Sequence, residues 1–241
     1  MDPSPSPLLQ AENVSFRWAP RLAPTVELDR FTIAAQERVF LYGPSGSGKS
    51  TLLGIFGGVL VPQQGHVRIL GTDLGSLGAS RRDAFRVDHI GFIFQQFNLI
   101  PYLSVVENVL LPCRFSRRRR ERAMQAGGNL EAQALRLLAQ LDLGRALHAR
   151  NVTQLSVGQQ QRVAAARALI GRPELIIADE PTSSLDAGRQ EGFLELLLAE
   201  CASSGAALLF VSHDRRLAAH FTRQVAMDEV SRAAPALGEA A

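Results

Sequence analysis

The sequence predicts a single α/β domain built around a mainly parallel sheet, and three observations lead to that prediction. The chain has 241 residues, which suits one large domain and is short for two. Hydrophobic residues make up 46% and charged residues 20%, as in folded soluble proteins. Brief apolar runs with polar ends alternate with helical stretches, which is typical of strands buried on both faces of a parallel sheet.

The first predicted strand is Leu8 to Trp18, where apolar and polar residues alternate. Arg38 to Tyr42 is an apolar strand that runs into a glycine-rich turn, and Lys49 to Gly57 then forms a helix. Three later apolar runs have the length and composition of buried strands: Gly91–Phe94, Leu175–Asp179 and Ala206–Ser212.

Helical patterning dominates from Val105 to Ile170, with regularly spaced leucines and a run of strong helix formers. We therefore divide the domain into a core, residues 1–95 and 171–230, and a helical subdomain, residues 96–170. The Pro/Ser-rich start, Met1 to Pro7, and the Ala-rich end, residues 231–241, are expected to be loose tails.

A basic block, Arg114 to Arg122, lies inside the helical subdomain and is followed by Gly127 and Gly128, which indicate a break between two helices. Its default interpretation is a solvated helix face. The alternative is a surface that meets anionic lipid headgroups or an acidic partner.

Several classes of protein are disfavoured. No apolar run approaches the roughly 18 residues of a membrane-spanning helix, and Met1 to Pro7 has neither the positive charge nor the apolar stretch of a signal peptide. Cys113 and Cys201 have no metal-ligand spacing, which fits a reducing compartment and two ordinary thiols. The net charge of +3 does not by itself indicate a nucleic-acid partner.

The turn after the second strand matches the phosphate-loop pattern, in which glycines turn successive amides toward one anion and the following helix adds its positive end. A plain glycine turn is the structural alternative, but the position between a strand and a helix favours phosphate binding. The predicted nucleotide-binding residues are Gly43, Pro44, Ser45, Gly46, Ser47, Gly48, Lys49, Ser50 and Thr51.

Lys49 is the only lysine of the chain, so a compact ammonium is kept where arginine fills every other cationic position. Coding bias explains the arginines equally well, but a tight phosphate loop requires a lysine at this position. We expect Lys49 to reach the terminal phosphates, Ser50 to coordinate magnesium and Thr51 to add a phosphate contact.

Leu175 to Glu180 is an apolar strand that ends in two adjacent carboxylates. Alone, these acids fit a polar strand end equally well. Together with the phosphate loop, they predict that Asp179 lies near the magnesium ion and that Glu180 lies beside the attacking water.

The segment Leu155-Ser-Val-Gly-Gln-Gln-Gln-Arg162 precedes that strand. With it, the chain from Leu8 to about Met227 resembles the ABC ATPase family. The resemblance implies an ATPase that uses ATP and Mg²⁺, with a phosphate-loop NTPase core of mixed, mainly parallel sheet. It also implies an N-terminal antiparallel β portion and an inserted helical subdomain.

The resemblance further implies a head-to-tail dimer in which Ser156, Gly158 and Gln159 of one chain bind the nucleotide held by another. A serine and a glycine at a helix start also form a sound anion site by themselves. Val157 departs from the family pattern, which has glycine there, and would cost about 1 kcal/mol if the position needed a positive φ.

Other family positions follow in order. Gln95 resembles the glutamine that senses magnesium and the attacking water, with Gln96 as the less favoured alternative. Ser184-Leu-Asp186 resembles a dimer-contact loop, and His213 resembles the switch histidine that touches the terminal phosphate. Trp18 stands where the family stacks an aromatic ring on adenine, although a single tryptophan equally fits a core.

The segments Gly91 to Pro101 and Val106 to Val109 resemble the branch of lipoprotein-releasing, macrolide-exporting and cell-division ATPases. This branch implies integral membrane permease subunits with a large extracytoplasmic domain, and a peripheral position on the cytoplasmic face of the inner membrane. A low-turnover regulatory module is the alternative, supported by Val157. An ABC ATPase acting on DNA or ribosomes is disfavoured, because long coiled-coil insertions and twin cassettes are absent from the sequence.

Overall fold

A computed structural model describes residues 7–233, which form two compact units. The first unit contains residues 7–86 and 209–233, and the second contains residues 87–208. Of the predicted tails, residues 1–6 and 234–241 lie outside the described residues. The second unit is larger than the predicted helical subdomain, residues 96–170, because it also contains two strands and a long helix.

Strands β1 to β5 and β9 and helices α1 and α8 belong to the first unit, and the boundaries between the units fall inside α2 and β8. Their bounds are β1 (Leu9–Phe16), β2 (Val26–Ile33), β3 (Arg38–Tyr42), α1 (Lys49–Phe56), β4 (Gln64–Ile69), β5 (Thr72–Asp73), α2 (Ala79–His89), β8 (Ala207–Val211), β9 (Arg223–Ala226) and α8 (Met227–Val230).

An antiparallel sheet in the order β2, β1, β4, β5 forms one part of the first unit. Leu9 of β1 lies opposite Ile33 of β2 and Ile69 of β4, and all three side chains are fully buried. Because successive side chains of a strand point to opposite faces, the alternating pattern of β1 places its apolar residues in the core. The predicted antiparallel portion is thus confirmed.

The strand that leads into the phosphate loop, β3, pairs in parallel with β9 and lies beside β8. Its Phe40 ring is fully buried, 6.1 Å from the ring of Phe210 and 5.2 Å from that of Phe221. These contacts between aromatic rings stabilise the position of β3 in the core. The predicted bounds of this strand, Arg38 to Tyr42, are confirmed.

The second unit packs helices against a parallel pair of strands, in which Ile90 pairs with Leu175 and Ile93 with Ala178. Within residues 7–233, no helix is both long and apolar enough to cross a membrane. The bounds are β6 (Ile90–Ile93), α3 (Val105–Phe115), α4 (Arg117–Gly127), α5 (Leu130–Gln140), α6 (Val157–Leu169), β7 (Leu175–Asp179) and α7 (Ala187–Ser204).

Side-chain caps set the starts of these helices. Ser104 and Ser156 form capping boxes at the starts of α3 and α6, while Asn129 and Asp186 cap α5 and α7. The predicted break after the basic block is confirmed, since α4 ends at Gly127 and is capped by Gly128 with a φ of 76°.

The basic block forms the expected solvated helix face only in part, since Arg114, Arg117 and Arg120 are exposed whereas Arg119 is buried. Arg119 of α4 is only 2% exposed, and its guanidinium donates to the carbonyls of Ile170 at 2.7 Å and Ala168 at 2.5 Å. These carbonyls lie in the last turn of α6 and just after it, where main-chain acceptors have no partner within the helix. The expectation is wrong for Arg119, because a buried helix end requires donors and this arginine of α4 supplies them.

Glu174, just before β7, engages other arginines of the block. Arg118 and Arg122 pair with its carboxylate at 2.7 and 2.9 Å. Burial alone would raise the pKa of Glu174, but hydrogen bonds from His89 and Arg118 outweigh it and lower the pKa to about 2. The carboxylate is therefore ionised at neutral pH and neutralises part of the block from inside the unit.

The C-terminal tail was predicted to begin at residue 231, which is too early. Ser231 is buried and its Oγ accepts a hydrogen bond from the Glu27 amide at 3.0 Å, while the Arg232 amide donates to the Glu27 carbonyl at 2.8 Å. Glu27 lies on β2, an edge strand whose outer main-chain groups are available for pairing. Residues 231 and 232 are therefore fixed to the sheet.

Replacing Arg119 tests its structural role. Arg119→Met should lower the free energy of unfolding by about 2–4 kcal/mol, because it leaves buried carbonyls without donors. The matched control, Arg117→Met, changes an arginine with a 91% exposed side chain on the same helix, and should stay within about 0.5 kcal/mol of the wild type. Urea unfolding, followed by circular dichroism, measures the stability of both variants. Equal urea midpoints for Arg119→Met and Arg117→Met would contradict the structural role of Arg119.

Candidate nucleotide-binding site

The phosphate loop lies between the end of β3 at Tyr42 and the start of α1 at Lys49. Gly46 and Gly48 have φ values of 76° and 90°, in the left-handed region that favours glycine. A Cβ atom at Gly48 would lie 2.7 Å from the Thr25 carbonyl oxygen, so any side chain there would clash with the main chain. The loop therefore needs glycine at this position for two independent reasons.

Lys49 is held close to the loop that precedes it. Its side chain is 8% exposed, and Nζ donates to the carbonyls of Gly43 at 2.9 Å and Pro44 at 2.8 Å. These bonds use two of the three donors of the ammonium group. They fix a positive charge at the start of α1, where the helix also presents unpaired amides.

These residues fit a bound nucleotide triphosphate. No acidic residue lies in the first turn of α1, so its positive end is not neutralised locally. Ser50 is exposed at the helix start and offers a hydroxyl, whereas Thr51 is buried. Among residues 7–233, no group of three or more His, Cys, Asp or Glu side chains is placed to hold a metal. Magnesium that is bound through substrate phosphates generally takes only one or two carboxylates and keeps several waters.

Trp18 is not a core residue. Its side chain is 60% exposed and meets Phe16 edge to face, with the ring centroids 5.2 Å apart. An exposed indole braced by a buried phenyl ring offers a rigid flat surface to a ligand. This arrangement favours the stacking interpretation of the two that the sequence left open.

His213 lies two residues after the end of β8, in a segment with several main-chain and side-chain hydrogen bonds. The Ser212 amide donates to the Leu41 carbonyl at 3.2 Å, and the Asp214 amide donates to Ser212 Oγ at 3.0 Å. Hydrogen bonds from Arg216 lower the pKa of Asp214. His213 is exposed between these fixed neighbours, in the same unit as the phosphate loop.

Sequence reasoning missed one contact that joins this segment to the phosphate-loop strand. The guanidinium of Arg215 lies 4.4 Å from the ring centroid of Tyr42, and its Nη2 donates to the Tyr42 hydroxyl at 3.3 Å. Tyr42 immediately precedes Gly43, and Arg215 follows His213 by two residues. No pattern in the sequence links positions 173 residues apart.

In the second unit, Asp179 is the last residue of β7 and Glu180 follows it. Glu180 has a φ of 42°, which is rare for a residue with a side chain. Such strain costs about 1–3 kcal/mol and is concentrated at functional sites. The chain thus makes an abrupt change of direction at the predicted general base, directly before Pro181.

The segment Leu155 to Arg162, which resembles the ABC ATPase family and is called the signature segment below, contains Ser156 and the start of α6. Ser156 caps the helix by accepting from the Gln159 amide at 3.3 Å, and Gln159 Oε1 accepts from the Ser156 amide at 2.9 Å. Ser156, Gly158 and Gln159 border a cavity of about 300 Å³ together with Arg162 and Arg189. The three predicted residues therefore lie together, next to positive charge, at a helix start.

The concern about Val157 is removed by the structure. Val157 is the first residue of α6 and is not among the described residues with positive φ. Its side chain is 48% exposed, so it faces no packing conflict within its own unit. The expected penalty of about 1 kcal/mol for a strained backbone does not arise, because a helical φ suits valine as well as glycine.

Gln95 and Gln96 are both exposed in a turn that follows β6. Asp186 caps α7 and pairs with Arg189 at 3.2 Å, so the predicted dimer-contact loop has a local structural role as well. The first unit thus contains Trp18, Gly43 to Thr51 and His213. The second unit contains Gln95, Ser156, Gly158, Gln159, Asp179 and Glu180.

Comparisons with known proteins point to one family. A sequence profile of the ABC transporter family matches residues 27–183. The lipoprotein-releasing system ATP-binding protein LolD 2 of Rhodospirillum rubrum is 39% identical over 91% of this chain and 93% of its own length. The macrolide export ATP-binding/permease protein MacB of Syntrophobacter fumaroxidans is 40% identical over 82% of this chain and 29% of its own length.

Solved structures give the same result. The dimeric structure of a post-hydrolysis state of an ATP-binding cassette bound to ADP and Pi matches with a TM-score of 0.77 and 34% identity, covering 92% of this chain and 94% of the other. A second dimeric structure of a bacterial ABC transporter cassette matches with a TM-score of 0.76 at the same identity. The phosphate-loop NTPase fold predicted from the sequence is thereby confirmed.

Trp18 can be tested by direct binding. Trp18→Ala should weaken ATP binding by about 3- to 10-fold, the effect of one lost aromatic contact, whereas Trp18→Phe should stay within about 3-fold of the wild type. Isothermal titration with ATP measures both. Leu22→Ala is the control, because Leu22 is an exposed apolar residue of the same loop, 54% exposed. Equal affinity of Trp18→Ala and Leu22→Ala would rule out stacking.

Proposed function

Since the chain belongs to the ABC transporter family as an ATP-binding and ATP-hydrolysing subunit, we propose that it drives a permease with a large extracytoplasmic domain. In this proposal, ATP binding closes a dimer of ATPase chains and hydrolysis reopens it. The motion does mechanical work beyond the membrane. The chain would sit peripherally on the cytoplasmic face of the inner membrane, held there by its permease.

The observation that carries the proposal is full-length similarity to a lipoprotein-releasing ATP-binding protein. The match covers 93% of that relative and 91% of this chain. The segment Gly91 to Pro101, which resembles the same branch, contains β6 and the Gln95 turn. A relative named for macrolide export joins a cassette and a permease in one chain, and this chain covers 29% of it. These likenesses support a separate motor subunit for a permease of that type.

We assign phosphate binding to the loop Gly43 to Thr51. Lys49, already anchored by two carbonyls, supplies a fixed positive charge to the terminal phosphates. Ser50, Asp179 and Gln95 are the side chains that would hold Mg²⁺. When bound, this ion neutralises charge that develops on the phosphate oxygens.

Glu180 is the proposed general base. It accepts a proton from the water that attacks the terminal phosphorus, while the bond from that phosphorus to the oxygen of ADP breaks. ADP and inorganic phosphate leave, and the proton returns to solvent. His213 is proposed to contact the terminal phosphate, and its bonded neighbours Ser212 and Asp214 hold it for that task.

The second ATPase chain, an identical copy in the simplest case, would place Ser156, Gly158 and Gln159 on the nucleotide in a head-to-tail dimer. The capped start of α6 supports this role, because it presents a hydroxyl and main-chain amides at the positive end of a 13-residue helix. Two relatives of known structure are dimeric cassettes.

The low-turnover regulatory alternative depended on Val157. Because Val157 takes a helical backbone, that support is lost.

Glu180→Gln should keep ATP affinity and lose turnover by about 100- to 10,000-fold, because the amide retains size but accepts no proton. It should also accumulate as an ATP-bound dimer, detectable by analytical ultracentrifugation. Turnover close to the wild-type value would remove the base assignment. Glu191→Gln is the control, since Glu191 is an exposed acid of α7.

Co-expression with a candidate permease, sought among the genes that neighbour the gene of this chain, tests the motor proposal. We expect the two to co-purify and the steady ATPase rate to rise several-fold in the complex. The permease should also carry a long extracytoplasmic segment. An ATPase rate unaffected by a bound permease would favour the regulatory alternative, and a permease without that segment would overturn the assignment to this branch.

A further inference from the structure

Arg167 is a buried cation in the last turn of α6, at the opposite end of the helix from the signature serine. It is 9% exposed, and burial lowers its pKa to about 10, so it remains charged at neutral pH. Its Nη1 donates to the Asn98 carbonyl at 2.6 Å and its Nη2 to the Phe97 carbonyl at 2.5 Å. Both acceptors lie in the turn that contains Gln95.

That turn has an unfavourable backbone. Phe97 and Asn98 have φ values of 57° and 48°, two consecutive non-glycine residues in the left-handed region. Each such residue carries steric strain, because its Cβ lies too close to the following carbonyl oxygen. The turn's own bonds are short-range, from the Phe97 amide to the Phe94 carbonyl at 2.9 Å and from the Asn98 amide to the Gln96 carbonyl at 2.6 Å. The guanidinium of Arg167 binds two successive carbonyls and thereby stabilises this strained backbone conformation of the turn.

The other side of Arg167 is fixed as well. Arg119 donates to the carbonyls of Arg167, Ala168 and Ile170, so the end of α6 cannot shift freely against α4. Ser156 begins the same helix, about 16 Å away for 11 residues of α-helix. Helix α6 therefore connects the signature serine rigidly to the arginine that grips the Gln95 turn.

We infer that Arg167 is a positioning residue, which holds Gln95 in place and makes the Gln95 turn move together with the signature helix. This inference rests on the proposed role of Gln95 at the magnesium ion and the attacking water. A displacement of the turn would be transmitted along α6 to Ser156, and the reverse would hold equally. Arg119 acts differently, because it secures α6 without touching the turn.

The first test measures the turn in the full chain without nucleotide. Hydrogen exchange of the amides of Phe97 and Asn98 should be at least about 10-fold faster in Arg167→Met, because their local bonds then open more often. Arg119→Met is the matched control, a buried arginine of the same cluster with no bond to the turn. Arg167→Lys and Arg119→Lys replace them if either methionine variant fails to fold. The inference is overturned if these amides exchange at the same rate in the Arg167 and Arg119 variants.

The second test uses turnover. Arg167→Met should lower kcat by about 10-fold and leave KM for ATP within about 2-fold, as expected when a group acts after binding. Arg167→Lys should recover part of the loss, since an ammonium can bind one carbonyl. In a Gln95→Ala background, Arg167→Met should cost less than about 2-fold, because the two residues act as a unit.

The results of these tests distinguish the proposed role of Gln95 from the inferred role of Arg167. If Gln95→Ala keeps wild-type turnover, the proposed role of Gln95 fails, while hydrogen exchange still decides whether Arg167 holds the turn. If Gln95→Ala loses turnover but the effects of Gln95→Ala and Arg167→Met multiply independently, Arg167 is not its positioning residue.

Discussion

Four strands of this protein end within two residues of the residues that carry its chemistry. The phosphate loop follows β3, Gln95 follows β6, Glu180 follows β7 and His213 follows β8. The polar carboxyl end of a parallel strand is where the chain leaves the hydrophobic core and where open α/β sheets bind their ligands. The buried strands accommodate apolar side chains, so polar functional groups must lie beyond the strand ends. This constraint sets the positions of these residues along the sequence.

Positive φ values recur just after these strand ends. Gly46 and Gly48 adopt them without cost, whereas Glu180, Phe97 and Asn98 adopt them at the expense of steric strain. In each unit, a fixed cation binds main-chain carbonyls near such a turn: Lys49 at the phosphate loop and Arg167 at the Gln95 turn. Lys49 binds the carbonyls at the start of its own loop, and Arg167 binds those of a loop 69 residues earlier.

The residues of the site were predictable because their signals are local. A strand, a glycine turn and a helix are specified by neighbouring residues, so the bounds of β3 and β7 agreed with the sequence to the residue. The capping box at the start of α6 is equally local, since its partners Ser156 and Gln159 are only three residues apart. Strands β2, β4 and β9 and helices α2 and α7 were not located individually, because pairing and packing with distant segments stabilise them more than their own patterns do.

By itself, the sequence determined the α/β class, the phosphate loop, the acidic strand end, the signature and the family. Only the tertiary structure decided that Arg119 is buried, that Val157 is unstrained, that Trp18 is exposed and that Arg215 covers Tyr42. The physical reason is the distance along the sequence between the residues that interact. Motifs act through neighbouring residues, whereas the burial of a guanidinium depends on which carbonyls the folded chain leaves without a donor. A run of arginines in a sequence does not indicate which carbonyls of the folded chain will need a donor.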